Sequence, residues 1–404
     1  MPDDRHPPVF YRDVALADGR SPEPRLGVSI LVRGRRIAWL GPVDAEPDVS
    51  GLPGLETVDA SGATAVPAMV DAHSHVTLPG GAHWIDRGFD PPERLLLAAE
   101  RNGDLLTRSG VRWARDVGAP VGIDPSDERR RALSLGLRDR WRARSDRPYI
   151  RAAGTWVTRA GTLPRGLGEE AADADQLLAA AVRQLDDGAD LVKLYLDGPE
   201  TGVSPWSRDE IDRVVAAAHA RGARVTAHAT SLAGARAGVE GGVDAIEHGF
   251  EIDRDLAAEM AGRGTFLVST LSVFRSRVTF RRTTAIPRFA SEDGARRIAE
   301  RYEQASTSVA VAHAGGVPIA AGTDFGGGSP RAGELAWEVE SLTATGLEPW
   351  EALGAATWRG GELLGEPEAG VVREGGPADF FLVHGDPLSE PSALWRVWRV
   401  AWET

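Results

Sequence analysis

Between residues 64 and 367, short apolar runs alternate with longer stretches of helical periodicity, eight times over. The runs are "MVDAHSHV", "VRWARDVG", "YIRAAG", "DLVKLYLDG", "RVTAHAT", "DAIEHGF", "TFLVSTLSV" and "PIAAGTDFG". Helical patterns such as "DADQLLAAAVRQLDDG" and "SRDEIDRVVAAAHARG" separate them; the second opens with a capping box, Ser207 to Glu210, and stops at Gly222. Eight strands alternating with helices is the pattern of a (β/α)8 barrel. The flanks have a different texture. "GVSILVRGRRIAWLGP" (27–42) reads as two β-rich runs around a Gly-Arg turn. "GGPADFFLVHGDP" and "RVWRVAWET" return to strand texture at the other end, although Trp395, Trp398 and Trp402 would also fit one face of a helix. The expectation is therefore a barrel over 64–367 with a small β-sandwich domain built from both chain ends, 1–63 and 368–404. A chain of 404 residues is long enough for both.

A barrel enzyme works at the C-terminal ends of its strands. On that map His73 and His75 end the first strand, Lys193 lies in the fourth, His228 ends the fifth, His248 the sixth and Asp324 the eighth. His73 and His75 are two apart, so both point to the same side of a strand. Taken singly these residues say little. A lone histidine in a barrel is more often a hydrogen-bonded structural residue than a ligand, and Asp324 could be a turn residue. Ligand types at five strand ends are much harder to obtain by accident, and together they predict metal binding. The chain has no cysteine, so any metal must be held by His, Asp, Glu or a modified residue. Of the other histidines, His6 and His384 fall in the flanking β segments and His219 and His313 in helical patterns. His83, in the loop after the first strand, is a candidate substrate contact.

Lys193 is the only lysine in a chain rich in arginine. An amine can do what a guanidinium cannot. Near cations and out of water its pKa falls, and the neutral form becomes accessible. A neutral amine can add carbon dioxide to give a carbamate, an anion whose two oxygens can bridge two divalent metals. Arginine stays protonated and has no such route. The bland alternative is an ion pair between Lys193 and Asp190 or Asp197.

With these residues in view, the sequence resembles the amidohydrolase superfamily, most closely its prolidase-like branch of Xaa-Pro and related dipeptidases, with imidazolonepropionase as a relative. "VPAMVDAHSH" resembles the family's opening strand, with Ala68 where glycine is usual; "GADLVKLYLDG" resembles its lysine strand, with Asp197-Gly198 where a glycine pair is often found. "RVTAHAT", "GVDAIEHG" and "VPIAAGTDFG" resemble the three later ligand strands, and "GGPADFFLVHGDPL" the tail. The resemblance implies a binuclear site, most often zinc. His73, His75 and Asp324 would hold one ion and His228 and His248 the other, with carbamylated Lys193 and a hydroxide between them. Asp324 would take the hydroxide's proton and pass it to the leaving amine. The implied reaction is hydrolysis of an amide, as in a dipeptide or acyl-amino acid. A deaminase or a cyclic-amide or imidazolone ring opener, and a non-catalytic scaffold, are the alternatives.

Substrate contacts are sought in two places. "FRSRVTFRRTTAIPR" (274–288) follows the seventh strand and carries Arg275, Arg277, Arg281, Arg282 and Arg288, one of which could pair with a substrate carboxylate. Tyr195 lies on the same strand side as Lys193 and either meets substrate or fills the barrel. Trp84 and Trp206 fall in loops of the active face. A net charge of −13 argues against nucleic acid or an anionic membrane as partner, which leaves a small-molecule substrate and a possible homo-oligomer. There is no signal-peptide pattern and no apolar run of about 18 residues, so the expected location is the cytoplasm.

Overall fold

The computed structural model describes residues 7–125 and 128–402; His6 lies outside them. All eight apolar runs form strands: β1 (Met69–Ser74), β2 (Val111–Asp116), β3 (Tyr149–Ala152), β4 (Leu191–Tyr195), β5 (Arg224–Ala229), β6 (Ala245–His248), β7 (Phe266–Ser269) and β8 (Ile319–Ala321). β1, β2 and β3 pair in parallel in one sheet, and β4 to β8 pair in parallel, in chain order, in another. Backbone hydrogen bonds bridge the two gaps. At one, the Asp190 N–H donates to Ala152 C=O at 2.8 Å; at the other, the Asp324 N–H donates to His73 C=O at 2.8 Å and the His75 N–H to Phe325 C=O at 2.9 Å. These bonds link the end of β3 to the residue before β4, and the segment after β8 to β1.

The helices follow from their periodicity. Arg208–His219 buries Ile211, Val214, Val215 and Ala218, the spacing of one helical face, and carries both halves of the Ser207/Glu210 capping box. Ala174–Asp186 is capped by the Asp173 side chain, which accepts from the Gln176 N–H at 2.9 Å. Two pairs of three-residue strands have no counterpart in the sequence reading: Val121–Ile123 with Arg130–Ala132, and Val157–Arg159 with Glu169–Ala171.

The chain ends meet in one seven-stranded sheet of Val9–Leu16, Arg25–Arg33, Arg36–Pro42, Glu56–Asp59, Ala63–Pro67, Phe380–His384 and Val397–Val400. The expected sandwich is thus a single branched ladder: Val9–Leu16 pairs with three other strands, and the sheet has a core of its own that includes Tyr11, Ile30, Val58 and Phe380. The turn Gly34-Arg35 has φ of 55° and 63°, the mirror-image turn that suits a two-residue hairpin. Ala63–Pro67 pairs with Phe380–His384 in this sheet, so residues 64–67, assigned to the barrel segment from sequence, lie in a strand of the terminal sheet. The three tail tryptophans do not share one helical face: Trp398 lies in the strand Val397–Val400, antiparallel to Phe380–His384, Trp395 ends the short 3-10 helix Pro391–Trp395, and Trp402 follows the strand. A buried ion pair, Arg112 Nε to Asp379 Oδ1 at 3.2 Å, ties β2 to this sheet. Among the described residues no helix is long and apolar enough to cross a membrane.

Candidate metal centre

The C-terminal strand ends bring five of the six candidate ligands around one cavity of about 290 Å³, with Lys193 on its wall as the sixth. The Nε2 atoms of His73 and His75 lie 3.4 and 3.3 Å from the same oxygen, Asp324 Oδ1. These separations exceed an ordinary N–H···O hydrogen bond. They match the edge of about 3.4 Å between neighbouring ligands of a tetrahedral ion with bonds of about 2.0–2.1 Å. Ligand atoms of His73, His248 and Asp324 all lie within 4.8 Å of one another.

The rings are held from behind. His73 Nδ1 meets Glu247 Oε2 at 2.6 Å, His75 Nδ1 meets Gly118 O at 2.7 Å, His248 Nδ1 meets Thr270 Oγ1 at 2.8 Å, and His228 Nε2 meets Asp197 Oδ2 at 3.3 Å. His73, His75 and His248 therefore spend Nδ1 on an outer partner and keep Nε2 free, the arrangement usual for metal-binding histidines, while His228 makes only the longer approach to Asp197. Glu247 is itself paired with Arg115 and Thr226. Burial would push the Glu247 carboxyl up, but Arg115, Lys193 and His73 outweigh it and hold it well below the usual range. Burial, with His228 and His73 close by, keeps His248 well below the ordinary imidazole value, so it is neutral and free to donate its lone pair. His248 and Asp324 both adopt left-handed backbone, φ 71° and 54°, a conformation that non-glycine residues hold only where the surroundings impose it. Gly327 packs against the His75 ring so closely that any side chain there would displace it.

Lys193 is fully buried and its Nζ has no hydrogen-bond partner. The ion-pair alternative is not realised: Asp190 bonds Arg138, and Asp197 bonds His228, Thr230 and Ser231. Burial pushes the amine down to about 8, so the neutral form is within reach. An orphaned amine beside converging imidazole and carboxylate donors fits a divalent-metal site with a modified lysine.

The substrate-contact candidates separate. Tyr195 lines the cavity and stacks on His228, ring centroids 3.7 Å apart. Arg277 and Trp84 line it too. Arg275 does not: it pairs with Glu340 at 2.8 Å outside the cavity. The reason is helical phase. Both arginines sit on the helix Ser272–Phe280, and two residues of an α-helix are about 200° apart. His83 is not on the cavity wall either; its side chain is 66% exposed and leans on Asp86. Trp206 is buried beneath Arg159. The residues that sequence reading passed over are the outer partners Glu247, Arg115 and Thr270, and Asp197 entered it only as a possible partner of Lys193. Of these only Glu247 left a signal, a carboxylate next to a candidate ligand in an otherwise apolar strand.

The amidohydrolase family model matches residues 64–400. The chain belongs to the amidohydrolase family. Among curated proteins, an uncharacterised protein of Mycobacterium tuberculosis is 32% identical over 365 residues, 88% of each chain. The imidazolonepropionase of Anaeromyxobacter dehalogenans is 26% identical over 398 residues, 88% of this chain and 84% of its own. Among solved structures, a Xaa-Pro dipeptidase with methionine bound in its active site superposes with a TM-score of 0.79 at 23% identity, over 96% of this chain and 97% of that one. The superposition shows that the two chains share a fold. Membership makes this chain a hydrolase of carbon–nitrogen bonds, in a family that generally uses divalent metal ions.

Proposed function

We propose that this amidohydrolase is a binuclear metal-dependent amidase that cleaves a dipeptide, an acyl-amino acid or a related small amide. The observation that carries it is the shared contact of His73 and His75 with Asp324 at a ligand-to-ligand spacing, beside an unpartnered Lys193 amine. His73, His75 and Asp324 would hold one divalent ion, taken as zinc, and His228 and His248 the other. A carbamylated Lys193 would supply negative charge to both. Bound there, the ions supply Lewis acidity and acidify water at neutral pH. Asp324 accepts the proton of the attacking water and returns it to the leaving nitrogen. Tyr195, stacked on His228, fills the side of the cavity next to Lys193 and limits the room for substrate. The proposal includes closure of the eight strands as a (β/α)8 barrel beside the terminal β domain, a small-molecule substrate rather than nucleic acid or a membrane, and a cytoplasmic location.

A second reading, a cyclic-amide or imidazolone ring opener, is favoured by the likeness to imidazolonepropionase. Elemental analysis of protein purified with Zn²⁺ should give close to two divalent ions per chain, and His73→Ala or His75→Ala should lower metal content and turnover together. Assays on dipeptides, acyl-amino acids and cyclic amides separate the two readings. Trace metal only, or turnover confined to cyclic amides, overturns the amidase.

A further inference from the structure

Besides Lys193, the cavity wall carries an arginine that makes no ion pair among the described residues. This residue, Arg277, reaches the cavity from the helix after β7, and its Nε is buried with no hydrogen-bond partner. Its guanidinium lies between two aromatic rings, 5.4 Å from the centroid of Trp84 and 5.6 Å from that of Phe274. The neighbouring arginines are accounted for otherwise. Arg275 pairs with Glu340, Arg288 bonds Ala82 O and stacks on the same Trp84, and Arg281 and Arg282 face solvent. Aromatic faces steady a guanidinium but leave its N–H fork unsatisfied. An enclosed Nε–H without an acceptor is costly unless something completes it, and the planar fork to which it belongs matches a carboxylate. The rest of the wall is mostly apolar, with Leu78, Trp156, Leu163, Leu167 and Phe250.

We infer that Arg277 is the specificity residue that reads a carboxylate on the substrate, while the apolar wall takes a hydrophobic side chain. On the amidase reading, from which this inference starts, the preferred substrates are dipeptides or N-acyl amino acids with a free carboxylate and a large apolar residue. A cavity of about 290 Å³ stands at the small end for ligand sites and suits a molecule of that size.

The test uses the Zn²⁺-loaded enzyme and matched pairs: N-acetyl-phenylalanine against N-acetyl-phenylalaninamide, and leucyl-phenylalanine against its C-terminal amide. Wild type should prefer the free acids by about tenfold to a hundredfold in kcat/KM, the range of a charge-assisted hydrogen bond. Arg277→Gln should bring that ratio close to one, and Arg277→Lys should keep part of it. Calorimetric binding of phenylalanine and phenylalaninamide should show the same split, with thermal melts verifying that both variants fold; if the Gln protein does not, the Lys protein carries the comparison. Equal wild-type rates on acid and amide overturn the inference and leave the amidase standing, as does a ratio that survives Arg277→Gln. If no pair is hydrolysed but binding still depends on Arg277 and the carboxylate, the amidase reading fails and the carboxylate site stands. If binding also ignores the carboxylate, both fall.

Discussion

A buried amine without a hydrogen-bond partner is expensive to keep, and Lys193 is one. Lys193→Arg preserves charge and approximate size, yet on the proposed mechanism it should abolish turnover, because a guanidinium cannot form a carbamate and would set a cation where that mechanism needs an anion. Lys193→Ala should be nearly inactive and partly rescued by short-chain carboxylates. Steady-state assays with and without acetate decide this, and wild-type turnover in the Arg variant would refute the carbamate. Glu247 acts at one remove, through the His73 ring. Glu247→Gln removes the charge that balances Arg115 and should weaken metal binding by about tenfold to a hundredfold, measured by competition with a chelator. The two residues also differ in how visible they are in the sequence. Lys193 stands out because it has no equal in the chain, and the histidines because they fall at strand ends. Glu247 matters through a contact with a residue 174 positions away, which no local pattern carries. Arg275 and Arg277 share one basic run, and only the phase of the helix tells them apart.

The elements show what local pattern does encode. The eight parallel strands are legible as apolar runs because both their faces are buried; β1 has no exposed residue. Pairs such as Val121–Ile123 with Arg130–Ala132 are too short to show a period. The left-handed turns at His248 and Asp324 are invisible as well, since neither residue type announces positive φ as glycine would. The helix Arg208–His219 was legible through its cap. Ser207→Ala should cost about 1 kcal/mol, read from denaturant unfolding, with kcat unchanged because the cap lies outside the cavity. No loss of stability would mean that the cap hydrogen bonds exchange freely with water.

At the scale of the whole molecule, the terminal β sheet and the parallel strands are tied by Arg112 and Asp379. Arg112 also donates to the backbone of Ser145 and Arg147 and lies over Tyr149, so it stays buried if its carboxylate is lost. Asp379→Ala should destabilise by about 3–5 kcal/mol, the cost of stranding one half of a buried pair, seen as a lower denaturant midpoint. The pairing of the two chain ends was legible only as strand texture on both flanks, because Ala63–Pro67 and Phe380–His384 meet across more than 300 positions of chain. Removing metal with a chelator should lower the melting temperature, because ions bind the folded state alone. Unchanged melting would count against a metal held between strands. The seam between β8 and β1 is closed by the amides of Asp324 and His75, two of the candidate ligands. Opening that seam moves the ligands, and holding the ligands keeps the seam shut. Deuterium uptake at these two amides should therefore slow when Zn²⁺ is added and quicken in His73→Ala, making the backbone a clock for site occupancy that needs no substrate.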